Sequence, residues 1–371
     1  MPTPLPHPLV ATLPVYSTAP DSETPLVFRA SSNESAFPPP ASVVEAATSA
    51  IRAGNRYPAF KGADLIARLS DHTGMPAGMI VVADGSLSLL QHLLTAFVRP
   101  GQNVVFPWRS YEAYPICVQL SGADLRPVPL TPAFGHDLDA MADAVDADTA
   151  AVILCNPNNP TGTAFGRSEL ERFLTSVPAS TLVIYDEAYR EFVDDSVLTP
   201  FEATELLGRH TNLVVLRTFS KVYSLAGLRV GYLVAHPGIA EPVRQVIPPF
   251  PVSAPAVAAA SAALGEAGFR SMVRKTVGAE RIAVTAALQG AGLPCVPSHA
   301  NFVWVPLGDA SEAFALALRE EGIAVRAFPG EGVRISVGEA GLADALTSAI
   351  ATYSAEQAGD VVRAGAIRVG G

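Results

Sequence analysis

Short apolar runs recur through the first two thirds of the chain, each stopping at a polar or glycine-containing turn. Met79–Ala83, Asn103–Phe106, Ala150–Cys155, Thr181–Tyr185, Leu213–Leu216 and Val230–Ala235 are rich in Val, Ile and Leu and read as strands. Segments with apolar positions at helical spacing lie between them. Ser42–Ile51 predicts a helix with Ser42 as N-cap, and Leu87–Phe97 another, entered through the turn Gly85-Ser86. Strand alternating with helix predicts an α/β architecture with a mostly parallel sheet. Pro248-Pro249-Phe250-Pro251 breaks the pattern, and beyond it long Ala-rich helices alternate with the short runs Asn301–Val305, Ile323–Phe328 and Val333–Val337. That change reads as a second, smaller α+β domain. With 371 residues the chain exceeds the size of a usual single core. The expected division is a Pro-rich arm over 1–40 joining the small domain, a large domain over 41–250 and the small domain over 251–371. Seven prolines in the first 25 residues forbid a helix there and favour an extended arm.

Composition narrows the partners. Hydrophobic residues make up 49% and charged residues 16%, which is globular; 25 basic against 35 acidic residues give a net charge of −10 with no basic tract. Nucleic acid is therefore not an expected partner. Cys117, Cys155 and Cys295 lie far apart, with neither CxxC nor Cys/His ligand spacing, so neither a disulfide framework nor a metal site is expected. No Lys or Arg precedes Arg29, so the basic region of a signal peptide is missing. The Ala-rich run Ala254–Leu264 is too short to cross a bilayer and contains Pro255 and Ser261. The expected location is the cytoplasm, with no membrane partner.

The chemistry gathers at predicted strand ends, where open α/β sheets hold their ligands. Lys221 follows Leu213–Leu216 closely, with Ser220 beside it and Arg229 eight residues on. A lysine amine condenses with aldehydes, while a hydroxyl and a guanidinium hold a phosphate, so the cluster suits pyridoxal 5′-phosphate. A solvated lysine at a strand-to-loop junction is the plain alternative, so the weight falls on the neighbours. Asp186 ends another run, where a carboxylate is costly to desolvate without a cation such as a protonated pyridine nitrogen. The amides at Ser86 and Leu87 open a helix whose positive end suits a phosphate. After Asn103–Phe106 come Trp108, Tyr111 and Tyr114, of which one ring can stack on a flat heterocycle; Trp108 and Tyr114 read as core.

Four stretches resemble, in order and spacing, the signatures of fold-type I pyridoxal-phosphate-dependent aminotransferases: Asn156-Pro157-Asn158-Asn159-Pro160-Thr161-Gly162, Tyr185-Asp186-Glu187-Ala188-Tyr189, Ser220-Lys221, and Ala226-Gly227-Leu228-Arg229. The resemblance runs from about Tyr16 to Tyr353 and is closest to the histidinol-phosphate aminotransferase family, in particular its aromatic amino acid (phenylalanine) branch. It implies a seven-stranded sheet with helices on both faces. It also implies that Lys221 holds the cofactor and carries the proton, that Asp186 keeps the ring nitrogen protonated, and that Tyr111 stacks on the ring. Asn159 and Tyr189 would bond the phenolic oxygen. Ser220, Arg229 and the amides of Ser86 and Leu87 would hold the phosphate, completed by Tyr57 of the other subunit of a homodimer. Arg334 would fork onto the substrate carboxylate, with Asn33, Arg326 and Tyr16 as further substrate contacts. Ala59-Phe60 departs from the family pattern after Arg56-Tyr57-Pro58, a difference that touches packing. The implied reaction moves an amino group from phenylalanine or tyrosine to 2-oxoglutarate. Histidinol phosphate as donor remains the alternative, and a decarboxylase resembling threonine-phosphate decarboxylase shares the same lysine, aspartate and asparagine.

Overall fold

The computed structural model describes residues 3–6, 8–13, 25–194, 198–199 and 201–353. Among these, eleven strands form two sheets: β1 (Phe28–Ala30), β2 (Ile80–Ala83), β3 (Asn103–Trp108), β4 (Asp124–Pro129), β5 (Thr149–Cys155), β6 (Leu182–Asp186), β7 (Leu213–Thr218), β8 (Gly231–Ala235), β9 (Phe302–Val305), β10 (Ile323–Phe328) and β11 (Gly332–Ser336). The large sheet has the order β2-β8-β7-β6-β5-β3-β4, and every pairing is parallel except those of β8. The carboxyl ends of β2, β3, β5, β6 and β7 therefore share one edge, the edge at which β8 begins.

Burial on both faces explains the continuous apolar runs. Leu213 and Val215 of β7 enter one core while Val214 and Leu216 enter the other, following the two-residue period of a strand. Each such side chain contributes about 1.5–3 kcal/mol on burial. The helices Ser86–Phe97, Ala113–Leu120 and Pro237–Val246 supply leucines, valines and Tyr114 to one face. The helices Ala63–Thr73, Arg167–Ser176 and Ala254–Gly265 cover the other.

The small sheet has the order β1-β10-β11-β9. Its edge strand β1 lies parallel to β10, with Phe28 opposite Ile323 and Ala30 opposite Val325. This pairing carries residues 31–34 across to the carboxyl edge of the large sheet.

Several local expectations shift. The helix expected at Ser42 is Ala41–Arg52, and the carbonyl of Pro40 accepts from the amides of Val43 and Val44, so the helix starts a residue earlier. Ser42 is thus not the cap; its hydroxyl donates to Glu266. Strand β3 runs on through Pro107 and Trp108, and β6 ends on Asp186 itself. Strands β1 and β4 had no counterpart in the pattern reading. Among the described residues, no helix is long and apolar enough to cross a membrane, and no group of His, Cys, Asp or Glu could hold a metal ion.

Candidate active site

Strand ends and the crossing segment 31–34 enclose a cavity of about 300 Å³. Lys221 reaches it from the turn after β7. Its Nζ donates to the backbone carbonyl of Asn33 at 3.0 Å. Burial lowers the amine to a pKa of about 7; Arg334 and Arg229 push the same way, against Glu34 and Asp186. The amine is thus largely neutral slightly above neutral pH, the form that attacks a carbonyl.

Asp186 stands opposite at the end of β6. Tyr114 donates to its Oδ2 at 2.9 Å and the Ala188 amide to its Oδ1 at 3.1 Å. Burial raises the carboxyl to about 6 in spite of these two donors. A buried acceptor of this kind, short of a cation, fits a protonated ring nitrogen. Tyr111 flanks it, its ring edge-on to Tyr114 with centroids 5.6 Å apart.

The opposite end of the cavity is a cradle made possible by two glycines. Gly85 has φ 111°, and a Cβ there would lie 2.7 Å from Nη2 of Arg229. A Cβ on Gly231 would lie 2.5 Å from the Ser86 nitrogen. Without side chains at either point, the start of the helix Ser86–Phe97, the Arg229 guanidinium and the Ser220 hydroxyl converge. Arg229 Nη1 lies 3.5 Å from Ser220 Oγ, which also accepts from Thr218 Oγ1 at 2.9 Å. Free amides, a hydroxyl and a guanidinium at a helix start make a donor set that fits a phosphate.

Polar groups from the small sheet close the cavity. Arg334 of β11 is buried; its Nη1 donates to Asn159 Oδ1 and its Nη2 to the Ser31 carbonyl, each at 2.5 Å. Since a guanidinium only donates, Asn159 turns its Nδ2 donor away from Arg334. Arg326 stands directly opposite Arg334 across the β10–β11 ladder. Two like charges so placed repel, and Glu112 offsets this by taking Arg326 Nη2 at 3.0 and 3.1 Å. Arg109 and Glu331 form a further ion pair between the same two sides, with the Arg109 guanidinium over the Trp108 ring.

Of the residues expected from the sequence, Asn33, Ser86, Leu87, Tyr111, Asn159, Asp186, Tyr189, Ser220, Lys221, Arg229, Arg326 and Arg334 all line this cavity. Tyr57 does not: it is 81% exposed and stacks on Phe250, centroids 4.5 Å apart. Tyr16 lies outside the described residues. Tyr114 is core, as expected, and in addition its hydroxyl serves Asp186 and borders the cavity, a role the sequence reading did not give it. The available signal was the hydroxyl, which a buried tyrosine seldom leaves without a partner. Glu112 was likewise missed, since its partner lies on the other sheet.

A lysine, an aspartate and a phosphate cradle on the edge of a seven-stranded, mostly parallel sheet define a fold-type I pyridoxal-phosphate enzyme. The chain belongs to the class I and II aminotransferases, whose family model matches residues 27–351, and it is a pyridoxal-phosphate-dependent aminotransferase acting on amino and keto acids. It is 46% identical to an aromatic amino acid aminotransferase of Streptomyces coelicolor over 86% of this chain and 88% of that one. With the aromatic amino acid aminotransferase of Rhodococcus jostii it shares 44% identity over 95% and 97% of the two chains. Among solved structures, the histidinol-phosphate aminotransferase of Sinorhizobium meliloti in complex with pyridoxal 5′-phosphate superposes with a TM-score of 0.83, at 29% identity, over 93% of this chain and 97% of that one.

Proposed function

We propose that this aminotransferase moves the amino group of phenylalanine or tyrosine to 2-oxoglutarate, and runs the reverse reaction. The observation that carries the substrate is the name shared by relatives 40–46% identical over most of their length, all aromatic amino acid aminotransferases. The histidinol-phosphate neighbour is a more distant relative, similar at 29% identity. Arg334 suits either donor, because a phosphate can take the place of a carboxylate before a guanidinium.

When bound, pyridoxal phosphate supplies a ring that draws off the negative charge left as a proton leaves the substrate α-carbon. Lys221 is the attachment point, and its released amine takes and returns that proton. Asp186, held by Tyr114 and the Ala188 amide, keeps the ring nitrogen protonated. Tyr111 would stack on the ring, while Asn159 and Tyr189 would donate to the phenolic oxygen. Ser220, Arg229 and the amides of Ser86 and Leu87 grip the phosphate. Arg334 orients the substrate carboxylate, with Arg326, Asn33 and Tyr16 completing the substrate side. The domain division 1–40, 41–250 and 251–371 belongs to the same reading, supported by the pairing of β1 with β10.

The assembly is a homodimer in this reading, each site completed by Tyr57 of a second copy. The exposed rings of Tyr57 and Phe60, clustered on the half-buried Phe250, support it. The three unpaired thiols Cys117, Cys155 and Cys295 favour a reducing compartment, the cytoplasm. The test is a donor panel with 2-oxoglutarate. Phenylalanine or tyrosine should show the higher kcat/KM. A tenfold preference for histidinol phosphate, about 1.4 kcal/mol in transition-state binding, would overturn the assignment, as would carbon dioxide release without keto acid.

A further inference from the structure

We propose that Asn33 is a positioning residue that turns the hydroxyl proton of Tyr189 into the cavity, fixing Tyr189 as a donor. The proposal rests on the reading above, in which Tyr189 bonds the cofactor's phenolic oxygen, and goes beyond it by naming what orients that bond.

The argument is one of hydrogen-bond direction. Asn33 is 1% exposed and sits in a left-handed conformation, φ 54°. Its backbone amide donates to Ser336 Oγ at 2.8 Å, so that oxygen is already an acceptor. The single Ser336 proton is then available to the Asn33 side chain, 2.8 Å away, and can only meet its carbonyl oxygen, Oδ1. The reversed amide would make Ser336 Oγ accept twice and leave its proton without an acceptor among the described contacts, so the hydrogen bonds favour the observed orientation. Asn33 Nδ2 therefore faces Tyr189 and donates to its Oη at 3.1 Å. The Tyr189 oxygen accepts, and its own hydrogen is left for an acceptor on the cavity side.

Burial holds the Tyr189 phenol well above its usual range, so it keeps its proton to donate. The charged groups facing it are Arg334 on β11, Asp186 at the end of β6 and Lys221, whose Nζ lies 5.4 Å from the Tyr189 ring centre. None of these is an oxygen-bound acceptor competing for the hydroxyl hydrogen except Asp186, which is engaged by Tyr114 and Ala188. The Asn33 backbone carbonyl meanwhile accepts from Lys221 and from Asn301 Nδ2 at 3.1 Å. One residue thus sets the lysine amine with its main chain and the tyrosine hydroxyl with its side chain.

The test uses the cofactor-loaded enzyme and reads the pH midpoint of the bound cofactor's visible band, a quantity separate from turnover. A hydrogen bond donated to the phenolic oxygen favours the deprotonated form, so losing it raises the midpoint. Asn33→Gly is the informative variant: glycine adopts the left-handed backbone freely, so the carbonyl stays and only the side chain is lost. The midpoint should rise by about 0.5–1 pH unit, and the same substitution in a Tyr189→Phe background should add nothing. No rise, or an equal rise in that background, overturns the proposal. If Asn33→Gly gives no folded, loaded enzyme, Ser336→Ala decides in the same way, since it frees the amide to reverse. Tyr189→Phe alone keeps the two readings apart: if it leaves the midpoint unmoved, the role of Tyr189 itself fails, whereas a shift there without one in Asn33→Gly sinks this inference only.

Discussion

The amine of Lys221 offers a quantitative test of the site's electrostatics that needs no substrate. At a pKa of about 7 its neutral fraction at pH 8 is roughly 0.9; a lysine at its ordinary value of 10.5 would be about 0.003 neutral, a difference of nearly 300-fold. The chain has three lysines, so the Lys221 peptide is easily told apart from the other two. Brief acylation of cofactor-free enzyme at a series of pH values, read by mass spectrometry of each lysine peptide, gives the midpoint directly. Substitutions nearby then move it with opposite signs. Arg334→Gln removes a positive neighbour and should raise the midpoint, while Glu34→Gln removes a negative one and should lower it. Burial, the largest cause, survives both changes, so neither variant should return the amine to 10.5. A wild-type midpoint near 10, or shifts of the same sign in both variants, would refute the reasoning.

Three further outcomes are expected. Asp186→Ala should retain some cofactor binding, measured by equilibrium dialysis, while kcat falls by roughly 10²-fold or more; an unchanged kcat would remove its role. In Tyr114→Phe the buried carboxylate loses a donor. The native value of Asp186, about 6, already lies above the ordinary one, so ionising it costs stability as pH rises through about 4 to 6, and the variant enlarges that cost. Its deficit in urea denaturation of cofactor-free enzyme should be about 1.5–3 kcal/mol at pH 8 and smaller at pH 5; equal deficits at the two pH values would contradict this. Arg334→Lys loses the forked contact and should lower kcat/KM by about 10-fold or more for phenylalanine and 2-oxoglutarate alike, since both carry a carboxylate. A loss confined to one of them would count against a shared clamp.

The large sheet was legible because its central strands are wetted on neither face, so composition alone marks them and the polar residue that ends each run stands out. Asp186 is found that way, and Lys221 lies just past the end of its run. What was not legible depends on partners remote in sequence. Strand β1 has three residues and no local period; its register comes from Ile323–Val325. Strand β4 is an edge strand carrying Pro127 and Pro129, which argue against a strand when read in isolation. Tyr114 sits among apolar neighbours in a helix, so only its distance to Asp186 separates it from ordinary core. The Glu112–Arg326 pair joins two sheets, and no spacing along the chain announces it.

The parallel pairing of β1 with β10 also orders events in time. Residues 28–30 are synthesised nearly three hundred residues before the strand they join, on the order of tens of seconds at usual translation rates. Asn33, Ser31 and their partners Arg334 and Ser336 therefore cannot meet until β11 has been made. Lys221, Asp186 and the phosphate cradle can form in the large sheet well before that. The floor of the cavity is thus laid before the groups that close it. Contacts of such sequence separation slow folding, and from the synthesis of Lys221 until that of β11 the lysine lacks the cover these contacts supply.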